Sequence, residues 1–167
     1  LSQIEHFQPD VIWLHNLHGY YLNIELLFKW LKEHSQIKIL WTLHDCWAFT
    51  GHCAHFSAAK CDRWKSGCGD CPQLKAYPRT YGADHTQRNY RQKQACFTDL
   101  ANLTIIVPSE WLAQTVKQSF LKEYPVEVVH NQIDKSLFKP TPSDFREQYG
   151  LDGKTVILGA ASVWDKE

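Results

Sequence analysis

Four short apolar runs constrain the fold of this chain more than any other feature of its sequence. In chain order they are Asp10–Leu14, Lys38–Leu43, Leu103–Val107 and Val126–Val129. Each contains β-branched or aromatic residues and is too short for a typical helix, a pattern characteristic of strands. Because the runs are almost continuously apolar, they predict a parallel sheet that is buried on both faces.

Helical patterns lie between the predicted strands. The clearest has apolar residues at the i, i+3, i+4, i+7 spacing of an amphipathic helix, namely Ile24, Leu27, Phe28 and Leu31. A second helix is predicted around Leu112, with Ser109 as its N-cap, and a weaker helical pattern begins at Tyr90. This alternation of strands and helices predicts a doubly wound α/β domain.

Composition narrows the class of protein. Among the 167 residues, 18 Lys and Arg balance 18 Asp and Glu, so a nucleic-acid partner is not expected. No apolar run reaches the roughly 20 residues of a membrane span. The remaining pattern is that of an intracellular α/β enzyme, so we expect a cytoplasmic protein with reduced thiols. Neither a dinucleotide-binding glycine motif nor a P-loop occurs.

Polar residues follow each of the four predicted strands. The dipeptides at these points are His15-Asn16, His44-Asp45, Pro108-Ser109 and His130-Asn131. If the strands are parallel, these residues gather at the carboxyl edge of the sheet, where open α/β sheets bind ligands. The alternative interpretation is that they are loop residues that satisfy hydrogen bonds in turns.

Two of these strand ends are the strongest site candidates. His44 and Asp45 are the predicted catalytic residues, because an imidazole at a strand tip can donate or accept a proton near neutral pH. A second cluster could recognise hydroxyl groups or could form an ordinary strand-to-helix turn; its members are His15, Asn16, His18 and Gly19.

Five of the six cysteines lie in residues 46–85, a long segment without clear periodicity that we expect to be an insert. Cys53, Cys61, Cys68 and Cys71 have a spacing that suits a structural zinc site, with the last two in a C-x2-C turn. His52, His55 and Cys46 are possible substitute ligands. Free thiols and disulfides are the alternative interpretations, and the sixth cysteine, Cys96, is expected to be a buried apolar residue.

Several of these motifs resemble bacterial polysaccharide glycosyltransferases of the colanic acid and capsule type. The matching segments are WTLHDCWAFTGHC at Trp41–Cys53, WKSGCGDCP at Trp64–Pro72 and PSEWLA at Pro108–Ala113. The segment HNQID at His130–Asp134 is similar to the one that precedes the interdomain linker in retaining glycosyltransferases of the family 4 type. The chain departs from that pattern at Gln132, where the family usually has Gly.

The resemblance implies a GT-B enzyme, in which two Rossmann-like domains face each other across a cleft. The first domain binds mainly the acceptor, and the second binds mainly the nucleotide-sugar donor. The resemblance places His44 beside the transferred sugar. From their positions in the sequence, we expect Asp45 to orient His44 or to bind a sugar hydroxyl. The expected acceptor contacts are His15, Asn16, His18, Gly19 and Ser109. The implied activity is retaining hexosyl transfer to a growing, lipid-linked glycan, with possible peripheral contact at the inner face of the membrane.

This interpretation also predicts the domain organisation. Residues 1–132 would be a Rossmann-like domain, incomplete at its start and carrying the insert at 46–85. Residues 133–142 would be the interdomain linker. Residues 143–167 would begin a truncated nucleotide-sugar-binding domain, with a short helix at Phe145–Leu151 and a fifth strand at Thr155–Gly159. A chain with these gaps is expected to be inactive by itself.

Two other functions are compatible with the sequence. One is a different GT-B enzyme, such as a sugar-nucleotide epimerase. The other is a non-catalytic, zinc-stapled interaction module in which the strand-end histidines only stabilise turns.

Overall fold

The computed structural model describes residues 1–18, 21–76 and 78–160, and its contacts divide the chain into two compact units, Leu1–Asn131 and Gln132–Glu167. The first unit contains four strands: β1 Val11–His15, β2 Lys38–Thr42, β3 Leu103–Val107 and β4 Val126–Val128. Its helices are α1 Ser2–Phe7, α2 Ile24–Glu33, α3 Thr86–Phe97 and α4 Glu110–Val116. Among the described residues, no helix combines the length and apolar character that a membrane crossing requires.

The four strands form one parallel sheet in the order β1-β2-β3-β4. This arrangement confirms the predicted parallel sheet and is consistent with a Rossmann-like fold. Among the described strands, strand order follows chain order, so their crossovers all advance in one direction, as in one half of a doubly wound sheet. The predicted double winding stays a prediction.

Burial differs between the strands. β3 has its alternate residues fully buried, whereas four of the five residues of β1 are exposed or half-buried. Val11 and Trp13 are 48% and 59% exposed. The expectation that all strands are buried on both faces is therefore wrong for β1, and also for β4, which has no buried residue. Among the described strands, these two lie at the edges of the sheet.

The core of the first unit is built around an aromatic cluster at the sheet surface. Phe28 on α2, Trp41 on β2 and Phe97 on α3 are all buried. Their ring centroids lie 4.6 Å (Phe28–Phe97), 4.9 Å (Trp41–Phe97) and 5.3 Å (Phe28–Trp41) apart. Large apolar rings of this kind supply much of the burial energy of a domain. The cluster joins α2 and α3 to the same strand.

Helix caps lie where the sequence predicts them. Ser109 precedes α4, and its side chain accepts a hydrogen bond from the Leu112 amide. Asn23 caps α2 in the same way through the Leu26 amide. Both side chains satisfy backbone N–H groups that have no partner within the helix.

Residues 46–85, here called the cysteine segment, contain only two short 3-10 helices among their described residues, Trp47–Phe49 and Arg63–Lys65. The segment still carries buried side chains, including Phe49 and Trp64. Gly51 lies against the start of α3, where an added Cβ would fall 2.1 Å from the Thr86 carbonyl oxygen and 2.8 Å from Cys68 Cβ. Only a residue without a side chain fits at this contact.

The second unit contains one short helix among its described residues, α5 Phe145–Gln148, as predicted. The predicted strand at Thr155–Gly159 is not present. Ile157 and Leu158 are 94% and 88% exposed, and no strand is available among the described residues of this unit to pair with them. Backbone pairing defines a strand, so an apolar run without a partner does not form one. Residues 161–167 of the predicted second domain lie outside the described residues.

The Gly51 contact generates a prediction. We expect Gly51→Ala to lower the free energy of unfolding by roughly 1–3 kcal/mol, because the new methyl group must displace backbone atoms in a packed region. Gly82→Ala is the matched control, since an added Cβ there meets nothing within 4 Å, and its effect should stay within about 0.5 kcal/mol. Urea denaturation measures both. Equal stability of the two variants would show that this close approach does not exist.

Candidate functional site

His15 and His44 meet at the carboxyl edge of the sheet. His15 is the last residue of β1, and His44 follows the end of β2. The His15 Nδ1 and His44 Nε2 atoms lie 3.2 Å apart, and the two rings are stacked with centroids 5.5 Å apart. Both residues are exposed. Since a neutral imidazole has one donor and one acceptor nitrogen, the pair can share one hydrogen bond and still present a polar nitrogen to a ligand.

Asp45 contacts His18 and the backbone of Trp47. Asp45 Oδ2 lies 3.1 Å from His18 Nε2, within ion-pair distance, but the geometry is not that of a hydrogen bond. Asp45 Oδ1 accepts a hydrogen bond of 2.8 Å from the Trp47 amide. The carboxylate makes these contacts rather than one to His44, so the structure gives no support to Asp45 as the orienter of His44.

The chain turns sharply after β1. Asn16 has a φ of 41°, in the left-handed region that asparagine tolerates better than most residues. The Tyr21 hydroxyl lies 3.4 Å from the carbonyl oxygens of His15 and Asn16, so it supports this turn. Gly19, another predicted acceptor contact, lies outside the described residues.

Ser109 and His130 have local structural contacts. The Ser109 side chain caps α4, and His130 Nδ1 donates to the Pro108 carbonyl oxygen at 2.9 Å, which ties the ends of β3 and β4 together. The turn interpretation of these strand ends therefore accounts for Ser109 and His130. The contact between His15 and His44 joins two strand ends and leaves both rings exposed.

The sequence-based interpretation missed Lys93, on α3. Its ammonium donates to the carbonyl oxygens of Trp47 and Thr50 at 2.7 and 2.9 Å, and it lies 3.6 Å from the centroid of the Trp47 ring. Burial lowers the pKa of Lys93 from its usual value to about 7. Its position in the sequence could have revealed it, because Lys93 lies between Tyr90 and Phe97 on the apolar face of the helix. Lysine is seldom buried at such a position unless its ammonium has partners.

Trp13 is a second residue that the sequence-based interpretation missed. Its ring is 59% exposed, and the ring centroid lies 5.2 Å from that of His15. Trp13 Nε1 donates a hydrogen bond of 2.8 Å to Thr42 Oγ1, which fixes the ring on the sheet. An exposed, fixed indole beside polar nitrogens suits the apolar face of a sugar ring.

The four cysteines of the predicted zinc site all line one small cavity, namely Cys53, Cys61, Cys68 and Cys71. In the part of the chain that the structure describes, no three metal-binding side chains are placed to share one ion. His52 also lines this cavity, whereas His55 and Cys46 do not. All six cysteines of the chain are unpaired thiols. Cys96 is only partly buried, and its thiol lies 3.8 Å from the Ile24 carbonyl oxygen.

The amino-acid sequence is similar to that of an Escherichia coli (strain K12) protein named "Putative colanic acid biosynthesis glycosyl transferase WcaC". The two are 32% identical over 132 residues, which covers 75% of this chain and 32% of the relative. The chain therefore spans about a third of that protein's length. No protein-family model matches the chain, and no solved structure matches it.

The contacts of Asp45 generate a prediction. Asp45→Ala should lower the free energy of unfolding by about 1 kcal/mol, because the Trp47 amide loses its acceptor. Asp45→Asn keeps an oxygen at the Oδ1 position and should retain most of this stability. Urea denaturation gives the free energy of unfolding of both variants. Comparing them separates the hydrogen bond to the Trp47 amide from the effect of the negative charge near His18. Equal losses would mean that its charge near His18, rather than the hydrogen bond to Trp47, stabilises the loop.

Proposed function

We propose that this chain is part of a glycosyltransferase that extends a bacterial polysaccharide, and that it supplies the acceptor side of the active site. The observation that carries the proposal is the exposed contact between His15 and His44 at the carboxyl edge of a parallel sheet. The similarity to a protein named as a colanic acid glycosyl transferase supports the same class of reaction.

The chemistry of this edge suits sugar hydroxyls. Imidazole nitrogens can donate to or accept from a hydroxyl, and an exposed indole can stack on the ring. His44 would contact the transferred sugar, with His15 holding its ring in place. His15, Asn16 and Trp13 would contact the acceptor.

Asp45 has a different role in this proposal from the orienting role that the sequence predicts. Its carboxylate lies against His18 and holds the loop at Trp47. We propose that His18 is the acceptor contact that Asp45 holds. Ser109 remains a proposed acceptor contact: its hydroxyl oxygen accepts from the Leu112 amide, and its O–H can still donate to a sugar oxygen.

The remaining features of the proposal rest on the family resemblance. The donor would be a nucleotide sugar bound mainly by a second domain that begins within residues 143–167. Transfer would retain the anomeric configuration, and the acceptor would be a lipid-linked glycan. We accordingly propose a cytoplasmic enzyme that works close to the inner face of the membrane.

The test is turnover in the full-length parent enzyme. His44→Ala should lower turnover about 10-fold or more, because a hydrogen bond to the reacting sugar is lost in the transition state. His15→Ala should lower it as well, since His44 then loses its neighbour. The measurement is initial rate of glycan extension with saturating donor.

His55→Ala is the matched control, since His55 is an exposed histidine of the same chain outside this site. It should leave turnover unchanged. Near-normal turnover in His44→Ala would remove the proposed role of His44. If the enzyme instead epimerises the nucleotide sugar and extends no glycan, the alternative GT-B activity of a sugar-nucleotide epimerase is favoured.

A further inference from the structure

The cavity at the centre of the cysteine segment has a size and lining that suit a metal ion. Its volume is about 10 Å³, close to the minimum that holds a single water molecule. An organic ligand therefore does not fit, whereas a single ion does. Four of the lining residues carry thiols, and thiolates are the ligands that zinc prefers in closed structural sites.

The four thiols are withdrawn from solvent to different degrees. Cys53 is buried, and Cys61, Cys68 and Cys71 are partly buried. None of them is paired with another, so the segment gains no cross-link from them unless a ligand joins them.

The C-x2-C turn is held in place from several directions. Arg63 donates to the carbonyl oxygens of Gly69 and Asp70, the two residues between the cysteines. Asp84 Oδ2 accepts from the Cys71 amide at 2.7 Å, and the Gly51 amide donates to Cys68 Sγ at 3.2 Å. Amide donors of this kind favour a charged sulfur over a neutral one.

Cations flank the cluster. Lys93 Nζ donates to the Thr50 carbonyl oxygen at 2.9 Å, next to Gly51, whose amide contacts Cys68 Sγ. Arg63 donates to the carbonyl oxygens of the two residues between Cys68 and Cys71. Four thiolates around one Zn²⁺ carry a net charge of −2, and two nearby cations would offset that charge in a partly buried site.

We propose that Cys53, Cys61, Cys68 and Cys71 bind one structural zinc ion that cross-links the cysteine segment. Binding would convert four thiols and Zn²⁺ into a tetrathiolate site with release of four protons. Within the described residues, no three metal-binding side chains already stand in ligand geometry, so the thiols must rotate toward the cavity as the ion enters. The ion would have a structural role and would take no part in the chemistry of the proposed sugar transfer.

The experiment measures metal content in the chain purified without chelator. We expect about one zinc per chain by elemental analysis. Cys68→Ser should lose most of this zinc. Cys96→Ser is the matched control because it removes a thiol that does not line the cavity, and it should keep the zinc. Chelation should make residues 46–85 sensitive to protease while the helical circular dichroism of the first unit persists.

A second measurement decides the case if Cys68→Ser does not fold. Metal-free wild-type chain titrated with cobalt(II) should develop the absorption of tetrahedral thiolate coordination at one equivalent. Three outcomes would overturn the proposal. These are absence of both zinc and cobalt binding, disulfide pairing of the four cysteines under reducing purification, and equal zinc loss in Cys96→Ser and Cys68→Ser. Loss of zinc in His52→Ala with retention in Cys61→Ser would overturn the ligand set.

Discussion

The parallel pairing of β1 with β2 is the constraint on which the candidate site depends. In this register His15 lies opposite Thr42. The two strands therefore end at the same level of the sheet, and His44 contacts His15 directly. A shift of one residue would turn the side chains of β1 to the other face of the sheet. The hydrogen bond from Trp13 to Thr42 is a side-chain contact across the same two strands.

The packing of the cysteine segment on α3 is a second constraint, and it supports the first. Lys93 reaches from α3 to the backbone of Trp47 and Thr50, while Gly51 allows the segment to approach Thr86. A partly buried ammonium carries a large desolvation cost, which hydrogen bonds to two carbonyl oxygens and an aromatic face partly offset. These contacts anchor the loop that begins at Asp45, and so the candidate site rests on the cysteine segment.

The cysteine segment itself has too little regular structure to be held by backbone ladders alone. Its order comes from individual side chains: Phe56 and Trp64 stack with ring centroids 4.6 Å apart, and Thr50 donates to the Cys53 carbonyl oxygen. Small regions with few backbone ladders commonly rely on cross-links for stability. A zinc ion bound by the four thiols would supply such a cross-link.

The sequence by itself determined the four parallel strands, the N-cap at Ser109 and the collection of His15 and His44 at one edge, because each follows from local apolar period and strand direction. Tertiary structure alone decided which polar atoms meet. Asp45 stands next to His44 in the sequence, yet its carboxylate contacts His18 and the Trp47 amide. The exposure of Trp13, the burial of Lys93 and the lack of a fifth strand among the described residues depend on which elements lie alongside. Neighbours in space, rather than along the chain, determine burial and pairing.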